Sequence, residues 1–149
     1  MTQIRSGAHA LWRFLIALFA AAAIAQVFLA GYGVFNADDE GKNKTYKHAF
    51  NAHGALGFLM TIGALLLLIV ALIAWRDRRA VGSSAVLFVL MIVQSVLASG
   101  GKHHPIVGAF HPLLGFFILG MSGWLASQAW GKGRGHMHHR REDAPPPLA

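Results

Sequence analysis

The sequence contains no cysteine and few acidic residues. With zero cysteines among 149 residues, disulfide bonds, thiolate metal sites and thioether-attached haem are all excluded. Only six residues are Asp or Glu, and none of them lies in the long apolar runs described next. Because proton pumps and many transporters use carboxylates within the membrane as relays, this absence argues against a transport function.

Charged residues of either sign are also scarce, at 13% of the chain, whereas 55% of its residues are hydrophobic. Four runs without a charge lie at 14–35, 49–75, 81–98 and 106–130. A helix rising about 1.5 Å per residue crosses a hydrocarbon core of about 30 Å in about 20 residues. The sequence therefore predicts an all-α, integral membrane four-helix bundle over residues 1–130 and a disordered basic tail over 131–149.

The formal net charge is +7, but the basic residues are distributed by side of the predicted membrane and are not gathered into a patch that would bind nucleic acid. Nine basic residues flank one side of the predicted bundle, and four lysines flank the other. By the positive-inside rule we expect both termini to be cytoplasmic and the chain to be a multi-pass protein of the inner (cytoplasmic) membrane. Alternatively, the first span belongs to a cleavable signal peptide, which would consist of Arg5 and Arg13, the apolar stretch and Ala23-Ile24-Ala25. The nine residues on the basic side are Arg5, Arg13, Arg76, Arg78, Arg79, Lys132, Arg134, Arg140 and Arg141.

An internal repeat relates the two halves of the chain. The first and third spans end in Gln-x-x-Leu-Ala, at 26–30 and 94–98, and the second and fourth spans carry His-x-x-Leu-Gly-Phe, at 53–58 and 111–116. The offsets of 68 and 58 positions indicate two helical hairpins that differ by a longer first loop. Packing about a pseudo-twofold axis would put His53 opposite His111 at equal depth, in one layer with Gln26 and Gln94.

This predicted polar layer has two interpretations. Facing neutral imidazoles can ligate a haem iron, so His53 and His111 are candidate axial ligands of haem b, with Gln26 and Gln94 as hydrogen-bonding neighbours. Alternatively, the glutamines and histidines clamp the helices together without any cofactor.

The residues that follow each histidine fit either interpretation. Gly57 and Gly115, four positions later on the same helix face, would leave room for a flat macrocycle, and Phe58 and Phe116 would wall it. Glycines at these positions would equally let bare helices pack closely.

The outer end of the fourth span is less certain from sequence. Either the helix starts near Pro105 and kinks beside His111, or it starts at Pro112 as a first-turn proline with His111 at its mouth. The outer rim is also rich in histidine, which suggests a second metal site for Zn²⁺ or Cu²⁺, although interfacial histidines are ordinarily solvated. The rim histidines are His48, His103 and His104.

The two repeated motifs, within about 16–126, resemble a family of small four-span bacterial membrane proteins of unknown function. The layout is also similar to one half of haem A synthase and to b-type membrane cytochromes. That resemblance implies that His53 and His111 are the axial pair. The chain departs from the synthase in having a single four-helix unit, no loop cysteines, and Phe50 where an acidic residue precedes the histidine.

The sequence thus predicts a b-type haem protein that transfers electrons, alone or as a small subunit of a respiratory complex, with a quinone or an extracytoplasmic protein as partner. It contains no nucleophile elbow, phosphate loop or paired carboxylates, so we do not expect an enzyme by itself. The rival prediction, from a different functional class, is a cofactor-free accessory subunit of a membrane complex.

Overall fold

The structure is a computed structural model that describes residues 2–39, 46–74, 78–101 and 103–131. These residues form four long helices and one short one. The helices are α1 (Thr2–Asp39), α2 (Tyr46–Ala49), α3 (Asn51–Ala74), α4 (Arg78–Gly100) and α5 (Pro105–Gly131). Of the tail predicted to be disordered, 131–149, Gly131 is the last residue of α5, and 132–149 lie outside the described residues, as do Lys42, Lys44 and Arg76.

All four long helices are long and apolar enough to cross a membrane, as the sequence predicts. Their outward surfaces carry large apolar side chains that are mostly exposed, such as Phe28, Leu72, Val89 and Phe117. In water such a surface would be unfavourable, whereas lipid accommodates it at no cost. The predicted fold class, an all-α membrane four-helix bundle, is confirmed.

The helices form a closed ring in which the two hairpins face each other. α1 packs against α3 and α5, and α4 packs against the same two helices, so α3 and α5 lie on one diagonal. α1 and α4 begin at one end of the bundle, here named the basic end, where α3 and α5 finish. The opposite end is named the histidine end.

The buried core fills only one half of this bundle. Every member of the main core cluster lies between the Gln/His layer and the basic end, including Ile16, Leu67, Leu87 and Ile118, each 3% exposed or less. The spacing of three or four residues between core positions on each helix puts them on one inward stripe. The polar layer therefore covers the open end of a tightly packed apolar core.

Two polar contacts join the hairpins near the basic end. Trp12 Nε1 donates a buried hydrogen bond to Ser84 Oγ at 3.2 Å across the α1–α4 diagonal. The guanidinium carbon of Arg13 lies 4.5 Å from the ring centre of Trp130 on α5. Since aromatic faces attract cations, this contact fixes the end of α5 against α1.

α5 starts at Pro105 and continues through Pro112, so the first of the two alternatives for this helix is correct. His111 consequently lies inside the helix, six residues or about 9 Å from its start.

Candidate functional site

In the first hairpin, Gln26 on α1 and His53 on α3 exchange hydrogen bonds. Gln26 Nε2 donates to the backbone carbonyl of His53 at 3.0 Å, and His53 Nδ1 lies 3.2 Å from the backbone carbonyl of Gln26. Each side chain therefore binds the main chain of the other residue. Such a reciprocal pair fixes the register of the two helices.

The second hairpin repeats this exchange atom for atom. Gln94 Nε2 donates to the backbone carbonyl of His111 at 2.9 Å, and His111 Nδ1 lies 3.1 Å from the carbonyl of Gln94. A longer contact of 3.4 Å joins Gln94 Nε2 to His111 Nε2. The repeat found in the sequence is therefore also a repeat of hydrogen-bond geometry.

The spacing that the two repeats share has a steric reason. In a helix, the side chain at position i+4 leans back over the turn that holds the carbonyl of residue i. Glycine at 57 and 115 uncovers the histidine carbonyls, and alanine at 30 and 98 leaves room beside the glutamine carbonyls. A Cβ atom at Gly57 would lie 2.9 Å from Gln26 Nε2, and one at Gly115 would lie 3.2 Å from Gln94 Nε2.

The space beside each of the two glycines is therefore occupied by the glutamine amide of the same hairpin. The sequence predicted that Gly57 and Gly115 would leave room for a macrocycle. In the structure, the amide of the same hairpin occupies that room. The glycines are thus required by the Gln–His exchange itself.

The exchange also determines the tautomer of both histidines. A backbone carbonyl can only accept a hydrogen bond, so Nδ1 of His53 and of His111 must carry the proton. In a neutral imidazole, the proton on Nδ1 leaves a lone pair on Nε2. A backbone carbonyl that holds one ring nitrogen in this way is the usual second shell of a metal-binding histidine.

The two imidazoles meet across the bundle. Their ring centres are 6.0 Å apart and their planes are inclined by 71°. Both side chains are half-buried. The sequence prediction that His53 and His111 face each other at equal depth agrees with this placement.

One acceptor in each hairpin has no partner. The Oε1 atoms of Gln26 and Gln94 are buried and make no hydrogen bond to any described residue. Their amide nitrogens bond to carbonyls, so exchanging oxygen and nitrogen would not help. Because an unpaired buried acceptor is costly, the layer calls for a hydrogen-bond donor from outside these residues, such as an ordered water.

The flanks of the two histidines differ between the hairpins. Three residues before His53 is Phe50, whose ring lies 6.2 Å from the imidazole and fills the space beside Gly33. At the equivalent position of the second hairpin, Gly108 meets Gly101 backbone to backbone. The first repeated motif can be extended to Gln-x₃-Ala-x₂-Gly, and this longer motif would have identified Gly33 and Gly101 from the sequence.

Other predicted residues lie away from the layer. Phe58 and Phe116 are 67% and 60% exposed on the outer surface, so the prediction that they wall a pocket is wrong. His48, His103 and His104 are exposed. Among the described residues, no three His, Asp or Glu side chains are grouped to hold a metal ion, so the structure does not bring the rim histidines together as a three-ligand site.

Comparison with known proteins identifies one family. Residues 26–100, half of the chain, match the family of unknown function DUF6220. The chain belongs to this family. The DUF6220 match begins at Gln26 and includes His53 and Gln94, so it covers the complete first Gln–His pair and the glutamine of the second. No curated protein matches the chain, and no solved structure does.

Proposed function

We propose that this DUF6220 protein is a membrane-embedded b-type haem protein that transfers electrons, with His53 and His111 as axial ligands. The observation that supports this function is the pair of facing imidazoles. Each comes from one hairpin, and each holds its Nδ1 proton on a carbonyl, which leaves a lone pair on Nε2. On His111, a metal would replace the 3.4 Å contact that Nε2 makes with Gln94 Nε2. Two neutral imidazole nitrogens are a normal axial set for haem iron in four-helix bundles.

The distance between the rings fits a shared metal. A metal bound at about 2.0–2.1 Å by each of two imidazoles in line places the ring centres about 6.3 Å apart. The observed separation is 6.0 Å.

The residues of the chain would position and insulate the group. Gln26 and Gln94 hold the histidine backbones, and the histidine rings are in turn oriented by the glutamine carbonyls. The apolar core below the layer excludes water from the basic-end side. When bound, haem supplies one-electron redox chemistry.

The position of the layer suggests where electrons are exchanged. It lies near the histidine end, with half-buried side chains, and by the positive-inside rule that end faces away from the cytoplasm of a bacterial cell. We propose a quinone or an extracytoplasmic redox protein as partner, either directly or within a larger respiratory complex.

The test is a dithionite-reduced minus oxidised absorption spectrum of detergent-purified protein from cells supplied with haem precursors. We expect a sharp low-spin b-type signal that is lost in His53→Ala and in His111→Ala. His104→Ala, which removes an exposed histidine outside the layer, is the matched control and should retain the signal. A featureless wild-type spectrum, at full haem supply, would refute the proposal.

One observation favours a second candidate, a cofactor-free accessory subunit. The Gln–His exchange and the glycines that permit it are complete without a ligand, so the layer could serve only to fix helix packing. A His53→Gln variant separates the two. It would retain a fold of wild-type stability under the clamp hypothesis, whereas the haem hypothesis requires that it lose the spectral signal of a haem-loaded wild type.

A further inference from the structure

A groove at the basic end is lined by two arginines and a histidine. It is open, with a volume of about 450 Å³, and runs between the start of α1 and the end of α3. Arg5, His9 and Arg13 follow one another at four-residue spacing, so they share one face of α1. The lining residues are Arg5, Ser6, His9, Ala10, Arg13 and Ala74.

Arg13 is held in place but not fully bonded. Its guanidinium lies against the Trp130 ring at 4.5 Å, and its Nε atom is buried with no hydrogen-bond partner among the residues that the structure describes. A guanidinium is planar and always charged, and it presents several N–H donors that suit phosphate oxygens. A buried donor that no described residue satisfies is a position where a phosphate oxygen could accept a hydrogen bond.

The charges around the groove favour an anion. None of the described residues that line it is acidic, and the first turn of α1 contains no acidic residue. The start of α1 adds the partial positive charge of a helix N-terminus.

We propose that this groove binds the phosphate of an anionic phospholipid in the leaflet at the basic end. The groove lies where a membrane-spanning helix leaves the apolar region, which is the level of lipid headgroups. Ala10 and Ala74 give it an apolar floor beside the cations, so a headgroup can bind there while its acyl chains remain beside the exposed apolar surface of the helices. Basic clusters at this level attract anionic lipid.

The experiment is native mass spectrometry of the full-length protein released from nanodiscs that contain equal amounts of phosphatidylglycerol and phosphatidylcholine. We expect at least threefold enrichment of phosphatidylglycerol on the wild type. Arg5→Gln changes an exposed residue that packing does not need, and it should reduce the enrichment at least twofold. Arg13→Lys keeps the charge but loses the planar donors, and should also reduce it.

The matched control is Lys102→Gln, which removes one charge in the connection between α4 and α5 and should leave the enrichment unchanged. Equal retention of both lipids by the wild type would overturn the proposal, and so would an equal loss in Lys102→Gln and Arg5→Gln. A parallel arm adds millimolar inorganic phosphate to delipidated protein. Thermal stabilisation by phosphate as large as that by phosphatidylglycerol would overturn the lipid assignment in favour of a soluble phosphate ligand.

Discussion

Replacing Gly57 by alanine tests the Gln–His exchange with a single methyl group. The new Cβ would lie 2.9 Å from Gln26 Nε2, closer than carbon and nitrogen atoms normally approach. The amide must retreat by about half an ångström, which stretches its 3.0 Å bond to the His53 carbonyl beyond about 3.5 Å, where little hydrogen-bond energy remains.

The expected cost follows from that lost bond. Side-chain hydrogen bonds between membrane helices contribute about 0.6 kcal/mol on average and up to about 1.7. Leaving a donor unpaired in a half-buried site adds to this cost. We therefore expect Gly57→Ala to be about 1–2 kcal/mol less stable than a variant with the same gain in helix propensity and no clash.

Gly54→Ala is that control, because a Cβ at Gly54 meets nothing within 4 Å. Both variants replace glycine by alanine in the first turns of α3, so the propensity gain of up to about 1 kcal/mol cancels. The assay is reversible unfolding in mixed detergent and SDS micelles, followed by tryptophan fluorescence.

Two comparisons test whether the methyl group acts by displacing the Gln26 amide. In a Gln26→Ala background the difference between Gly57→Ala and Gly54→Ala should vanish, since no amide remains to be displaced. Equal stability of the two glycine variants in the wild-type background would refute the steric account of the His-x₃-Gly motif.

Two further predictions concern the bundle away from that pair. Gly101→Ala should lower the free energy of unfolding by about 1–3 kcal/mol in the same assay, because its Cβ would lie 2.6 Å from the Gly108 backbone and push α4 away from α5. Gly31→Ala is the control, since a Cβ at Gly31 meets nothing within 4 Å. Equal stabilities of the two variants would contradict the close contact between Gly101 and Gly108. Trp12→Phe should cost about 1 kcal/mol through its buried bond to Ser84, and a double-mutant cycle with Ser84→Ala that gives no coupling would disprove the bond.

Much of the architecture follows from composition and repetition alone. Charge-free runs give the four spans because an uncharged helix of about 20 residues is what a bilayer selects. The matched Gln and His motifs predict which helices lie opposite each other, since two similar hairpins pack about a common axis. In agreement with this prediction, the ring centres of His53 and His111 lie 6.0 Å apart.

The inward face of each helix could not be predicted in the same way. In a membrane helix, lipid-facing and core-facing residues are both apolar, so periodicity does not separate them. Phe58 was therefore predicted to line the site, whereas it is 67% exposed on the outside. The use of Gly57 by Gln26 was likewise missed, because the sequence does not show that the glutamine amide reaches a backbone carbonyl.

We propose that His53 and His111 bind one haem iron from opposite sides. Resonance Raman spectroscopy of the purified ferric protein reports coordination number and spin state directly. We expect six-coordinate, low-spin iron in the wild type and, in each of His53→Ala and His111→Ala, five-coordinate iron or loss of haem. Haem that stays six-coordinate and low-spin in both variants, or a wild type that binds none, would contradict it.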